Sequence, residues 1–239
     1  MLALDSLSLR VGDFWLREVT LRVANGEYFV LLGPTGSGKS LLLECLCGLR
    51  RSESGRIRLG DRDVTHLAPH QRKVGYLPQQ SLLFPHLSVR ANLMFAPRLR
   101  GLSRRQARDL ADPIIRSLGL GNLLDRRPGE LSAGQARLVA LGRALAAHPD
   151  LLLLDEPVGA LDEPGRREVC QQLRRAHKDF GATTIHVCSS LAEAALVADR
   201  VGILAAGRLV QIGRLEDIRL QPAGAEVSRL LQIDKRELL

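Results

Sequence analysis

Eight consecutive residues, Gly33-Pro34-Thr35-Gly36-Ser37-Gly38-Lys39-Ser40, fit the pattern Gly-x-x-x-x-Gly-Lys-Ser and follow the apolar run Phe29 to Leu32. Glycines at this spacing let successive main-chain N–H groups converge on phosphate oxygens. The Lys39 ammonium reaches the β- and γ-phosphates, and the Ser40 hydroxyl is a ligand for Mg²⁺. The ligand that fits is a nucleoside triphosphate. A turn that only caps a helix would not need both the apolar strand before it and the helix-forming Leu41-Leu42-Leu43-Glu44 after it.

A second segment carries complementary chemistry. Leu151-Leu152-Leu153-Leu154-Asp155-Glu156-Pro157 is an apolar strand that ends by presenting two adjacent acids. Asp155 is placed to orient water around Mg²⁺, and Glu156 to polarise the water that attacks the γ-phosphoryl group. A phosphate cradle mainly neutralises charge, whereas hydrolysis also needs a nucleophile held in line, so the two segments together point beyond binding. In isolation a solvent-facing strand end would be a plausible reading of the acids.

The remaining residues must position these two segments. At 239 residues the chain can fill one substantial core with a small satellite subdomain. Its 45% apolar content argues for an ordered fold, and its 3% aromatic content for an aliphatic core. No segment approaches the roughly 20 apolar residues needed to cross a bilayer, and no secretory signal opens the chain, so a cytoplasmic location is expected. The net charge of +8 favours an anionic surface or ligand. The arginines are spread through 98–108, 126–127, 166–167 and 174–175 without aromatic interleaving, so no nucleic-acid partner is expected. Cys45, Cys47, Cys170 and Cys188 lack metal-ligand spacing and read as small core residues.

Alternating apolar residues in Leu2 to Leu9 and Phe14 to Val23 predict strands, followed by a turn at Asn25-Gly26 and the strand that enters the phosphate loop. Further strands are expected at Arg56 to Leu59, Val74 to Leu77, Leu151 to Leu154 and Thr183 to Val187, with edge strands at Val201 to Leu204 and Leu209 to Ile212. From about Ser88 to Ala147 the pattern is helical, with Ser103 and Ser132 as N-caps, and this stretch is the candidate satellite subdomain. Helices are also expected over Pro164 to Phe180, stopped by Gly181, and over Leu191 to Ala198. The whole predicts a wound α/β sheet. The tail from Gly213 to Leu239 is too short for a further independently folded regulatory domain.

Between the phosphate loop and the acid pair lie Gly75-Tyr76-Leu77-Pro78-Gln79 and Leu131-Ser132-Ala133-Gly134-Gln135; after the pair comes Gly159-Ala160-Leu161-Asp162. In this order the segments resemble the ATP-binding-cassette (ABC) ATPases, whose signature commonly reads Leu-Ser-Gly-Gly-Gln, and the resemblance covers nearly the whole chain. It implies an α/β fold of the P-loop NTPase type, with an N-terminal antiparallel β region and a helical subdomain at about 88–147. A single nucleotide-binding domain would span 1–239, using ATP and Mg²⁺. Gln79 would sense Mg²⁺ or attacking water and transmit nucleotide state to a membrane partner, with Gln80 as the adjacent alternative. Ser132, Gly134 and Gln135 would close over ATP held by a second copy in a head-to-tail homodimer. Asp162 would connect the opposed sites; as a helix cap it has a second reading.

Departures from the family pattern carry information too. The family commonly reads Ile-His-Val-Thr-His-Asp where this chain has Ile185-His186-Val187-Cys188-Ser189-Ser190, so Ser189 occupies the position of the switch histidine. A serine is shorter and cannot carry positive charge, which predicts slower hydrolysis. Leu41 replaces a common threonine or serine, Arg137-Leu138 replaces Gln-Arg, and Val11 falls near the expected adenine-stacking aromatic, with Phe14 and Trp15 as neighbouring substitutes.

Within the family the motifs are most similar to ATPase subunits of oxyanion importers, particularly those for molybdate or tungstate. That implies a peripheral subunit on the cytoplasmic face of the cell membrane. It would act on two transmembrane permease subunits and, through them, on an extracytoplasmic solute-binding protein. Two other readings are a nonhydrolytic ATP-dependent switch in a membrane complex, suggested by Ser189, and a nucleic-acid-associated ATPase.

Overall fold

A computed structural model describes residues 1–159 and 161–231; Ala160 and residues 232–239, including the end of the tail that begins at Gly213, lie outside the described residues. Ten strands and eight α-helices are assigned among them. Strands β1 (Leu2–Val11), β2 (Phe14–Val23), β4 (Ser54–Leu59) and β5 (Arg62–Asp63) form an antiparallel sheet in the order β2-β1-β4-β5. A six-stranded sheet runs β10-β9-β3-β8-β7-β6, from β3 (Tyr28–Leu32), β6 (Val74–Leu77), β7 (Leu151–Asp155), β8 (Thr183–Cys188), β9 (Arg200–Ala205) and β10 (Arg208–Gly213).

The short apolar runs form strands because both faces of the larger sheet are covered. In β3, Tyr28, Val30 and Leu32 enter one apolar cluster while Phe29 and Leu31 enter the other; in β7, Leu152 and Leu154 separate from Leu151 and Leu153 in the same way. A strand buried on both sides reads as a continuous hydrophobic stretch, which is why alternation is absent there. Each of these leucines removed from water contributes about 1.5–3 kcal/mol.

The first cluster faces α2 (Val89–Leu99), α3 (Arg104–Ser117), α4 (Ala133–Leu145), α5 (Glu163–Phe180) and α6 (Leu191–Val197); the second joins α1 (Lys39–Cys47) to the antiparallel sheet. Helices α7 (Leu215–Leu220) and α8 (Ala225–Leu230) follow β10. Ser88, Ser103 and Ser132 cap α2, α3 and α4, each hydroxyl accepting from the main-chain N–H three residues on, at 3.2–3.3 Å. Gly181 ends α5 in the left-handed conformation. All four cysteines are free and buried.

One strand expectation requires correction. Residues 200–205 form an interior strand, with β3 parallel to it on one side and β10 antiparallel on the other, so of these two strands only β10 lies at an edge of the sheet. Flat apolar runs such as Val201 to Leu204 carry no signal of how many neighbours they have.

Candidate functional site

The carboxyl ends of the parallel strands β3, β7 and β8 converge, and each delivers one part of the site. From β3 the chain enters the phosphate loop. Gly33 has no room for a side chain, since a Cβ there would lie 2.2 Å from the Leu204 carbonyl oxygen. Gly38 holds φ at +100°, and a Cβ on it would come within 2.8 Å of the side chains of Phe14 and Leu16. That conformation turns the loop into α1, whose first N–H groups carry no side-chain cap.

Lys39 is buried and its ammonium is held inside the loop by the carbonyls of Gly33 (2.8 Å) and Pro34 (3.0 Å). Burial lowers its pKa, against the opposing attraction of Glu156 and Asp155. Nearby, the buried Ser37 hydroxyl has no hydrogen-bond partner among the described residues, a polar atom inside the loop that a phosphate oxygen would satisfy. Pro34, Thr35 and Gly36 are exposed at the loop tip, whereas Leu41 packs against the second apolar cluster.

Strand β7 brings its acid directly to the loop. The Ser40 hydroxyl donates to Asp155 Oδ1 at 2.9 Å, and the Tyr76 hydroxyl donates to Oδ2 at 3.3 Å. Burial raises the Asp155 pKa, and these two donors act against it. A hydroxyl beside a carboxylate, next to a lysine and an anion-binding loop, is the hard oxygen donor set that suits Mg²⁺ held together with phosphate. Glu156 follows with φ at +42°, a conformation that side chains rarely adopt; its N–H donates to the Val187 carbonyl at 2.9 Å. Glu156 lines a cleft of about 250 Å³ together with Gln79, Ala133, Arg137 and Gly159. Gln79 thus shares a wall with Glu156, and Gln80 does not.

Ser132 and Gln135 are engaged with each other in a capping box, the serine main-chain N–H donating to Gln135 Oε1 at 3.0 Å. Gly134 lies in the first turn of α4 beside them. Asp162 caps α5, accepting from the Gly165 N–H at 3.2 Å, so its alternative role as a helix cap is occupied in this structure. Ser189, one residue past the end of β8, is exposed. His186 cannot stand in for a ring there: it is fully buried, paired with Glu193 at 2.7 Å and with the Tyr28 hydroxyl at 2.9 Å.

Sequence reasoning gave no role to two participants. Tyr76 reaches Asp155 from the strand before Gln79, and Arg137 bonds four main-chain carbonyls around the acid pair. Among the adenine candidates, Val11 pairs with Phe14 across the β1–β2 hairpin, and Phe14 is the ring beside Gly38. Trp15 projects the other way in β2, and the guanidinium groups of Arg10 and Arg17 lie over its ring, 5.6 and 5.7 Å from the centroid.

Residues 16–159 match the ABC transporter family. The chain is 42% identical over 231 residues to the molybdate/tungstate import ATP-binding protein WtpC of Pyrococcus horikoshii, covering 97% of this chain and 67% of that protein. It is 41% identical over 223 residues to the sulfate/thiosulfate import ATP-binding protein CysA of Mycobacterium tuberculosis, covering 93% and 64%. Among solved structures, the dimeric ABC transporter cassette MJ0796 superposes with a TM-score of 0.77 at 26% identity, covering 90% of this chain and 99% of the other. The same cassette, as a dimer in a post-hydrolysis state with ADP and Pi, gives the same values.

Proposed function

Since this chain belongs to the ABC transporter family, we propose that it is the ATP-hydrolysing subunit of a membrane importer, with molybdate or tungstate as the solute. The observation that supports the chemistry is the 2.9 Å hydrogen bond from Ser40 to Asp155, which joins the phosphate loop to the acid pair. The solute rests on the likeness to the molybdate/tungstate import proteins.

In this reading the loop residues 33–40 hold the ATP phosphates through main-chain N–H groups, with Ser132, Gly134 and Gln135 of a second copy closing over them. Lys39 exchanges its two carbonyl partners for phosphate oxygens, which relieves the cost of a buried ammonium held only by neutral groups. Ser40 and Asp155, with Gln79 at the edge, would hold Mg²⁺, which neutralises charge developing on the phosphates when it is bound. Glu156 polarises the attacking water and takes up its proton in the cleft it shares with Gln79. Asp162 would relay the state of one site to the other across the dimer. Phe14, beside Gly38, is the ring we assign to meet the base.

The permease subunits would meet the helical side of the molecule. The groove between α2 and α3, lined by Arg90, Met94, Phe95, Arg98, Arg104 and Arg108, combines apolar surface with positive charge. Among the described residues no helix is long and apolar enough to cross a membrane, consistent with a peripheral subunit that works through such partners and, across the membrane, a solute-binding protein.

The test is reconstitution with the permease subunits and binding protein, following ATP consumption and uptake together. Molybdate or tungstate should stimulate both; ATP turnover stimulated by a different anion would redirect the solute assignment. Mg²⁺-ATP binding without turnover in the complete complex would favour the nonhydrolytic switch suggested by Ser189.

A further inference from the structure

Helix α4 sends Arg137 inward, with only 7% of its surface exposed, while the next residue, Leu138, packs on the apolar cluster. The guanidinium lies at the junction of three segments. Its Nε donates to the Pro157 carbonyl at 2.8 Å, Nη1 to Pro78 at 2.7 Å, and Nη2 to Glu156 at 2.9 Å and Asp155 at 3.4 Å. All four acceptors are main-chain oxygens. Burying a guanidinium against neutral groups is costly unless its fork of donors is filled.

The acceptors are specific to the proposed chemistry. Pro78 immediately precedes Gln79, and the other three oxygens belong to the turn that carries the acid pair. Glu156 holds a φ of +42°, a strained conformation that costs about 1–3 kcal/mol and persists only where its surroundings over-determine it. Val187 fixes the N–H of that residue and Arg137 fixes its carbonyl. The same N-terminal end of α4 that carries Arg137 also presents Ser132, Gly134 and Gln135. One rigid side chain therefore connects the signature helix, the Gln79 segment and the glutamate.

We propose that Arg137 is a positioning residue for ATP hydrolysis, setting where the Glu156 carboxylate and Gln79 stand relative to the signature helix through its bonds to Pro78, Glu156 and Pro157. The proposal rests on the reading of Glu156 as the group that polarises water. Lysine does not substitute, because three donors on a single nitrogen cannot span carbonyls on opposite sides of a planar fork. Displacements of about 1 Å at reacting groups cost on the order of 100-fold in rate, so the effect of losing the fork belongs in kcat.

The experiment compares Arg137→Lys, Arg137→Ala and Glu156→Gln in the full-length chain by ATP affinity, steady-state Mg²⁺-ATP turnover and thermal unfolding. Both Arg137 variants should lose about 100-fold in kcat while ATP binds within a few-fold of the parent. Added guanidinium ion should restore part of the turnover of Arg137→Ala and none of Glu156→Gln. Folded variants that bind ATP and keep kcat within about twofold overturn the proposal. So does a loss of rate that merely tracks the folded fraction and is indifferent to guanidinium. Parental turnover in Glu156→Gln would instead overturn the role given to Glu156, whatever the Arg137 variants do.

Discussion

Strands β7 and β8 lie side by side in parallel, Asp155 opposite Val187, and both end on the side of the sheet where the candidate site lies, yet they finish in opposite ways. The end of β7 is crowded with polar partners. Asp155 receives two hydroxyls, and the backbone of Asp155, Glu156 and Pro157 is gripped by Arg137. At the end of β8 the polar chemistry has withdrawn into the interior: His186 pairs with Glu193 and Tyr28, the Cys188 thiol donates to the Ser190 carbonyl at 3.5 Å, and Ser190 caps α6. What reaches the edge is Ser189, exposed and short. Two neighbouring strands with the same burial and direction thus supply very unequal chemistry, and the difference lies in one or two residues beyond each strand end.

The sharpest way to break this comparison is Glu156→Gln. If β7 supplies the reacting carboxylate, turnover at saturating ATP should fall by about 10³-fold, within the range of a positioned general base, while nucleotide affinity persists. Retained turnover in a steady-state assay would place the chemistry elsewhere on the edge.

Asp155→Asn tests the other member of the pair. It keeps the shape and removes the charge that faces the Ser40 and Tyr76 hydroxyls. The Mg²⁺ concentration that gives half-maximal turnover should rise about 10- to 100-fold, read from titrations at fixed ATP. An unshifted midpoint would separate Asp155 from metal binding.

On the β8 side the corresponding loss should appear in stability. His186→Leu strands the Tyr28 hydroxyl and the Glu193 carboxylate without their partner, in a position with no access to water. Unfolding free energy measured with urea should drop by about 2–4 kcal/mol, with turnover per folded molecule unchanged. A loss of turnover out of proportion to the loss of folded protein would bring the buried histidine back into the reaction.

The asymmetry also explains what could be read from the sequence. The phosphate loop and the acid pair were legible because their chemistry depends on residue type at fixed local spacing: Lys39 must follow Gly38, and Asp155 must end a strand. The strands β3 and β7 announced themselves by apolar runs, and the caps Ser103 and Ser132 by their position before helical patterns. Arg137 stood out only as a departure, since the oxygens it bonds are main-chain atoms of residues up to 59 positions away and leave no trace in side-chain identity. The choice between Phe14 and Trp15 was undecidable for a related reason. Both alternate in one strand, and only the β1–β2 register with the position of Gly38 says which face meets the loop. The same holds for β9, whose neighbours on both sides are a matter of sheet order.

The smallest expected effect is the most informative about β8. Cys188 pairs with Leu32 in the parallel register of β8 and β3, so Ser189 stands level with Gly33, where the phosphate loop begins. A hydroxyl at that point extends one bond beyond Cβ, whereas an imidazole reaches further and offers a ring N–H to a phosphate oxygen or to water. Ser189→His should therefore raise turnover by about tenfold at saturating ATP, less than a full general-base contribution because that role is the one we propose for Glu156. Ser189→Ala should change the rate by less than about twofold, since a short exposed hydroxyl contributes little to begin with. An unchanged rate in Ser189→His, with ATP bound normally, would mean that the end of β8 does not limit the chemistry. The organisation around β7, with Arg137 holding the acid turn, would then be sufficient by itself to set the rate.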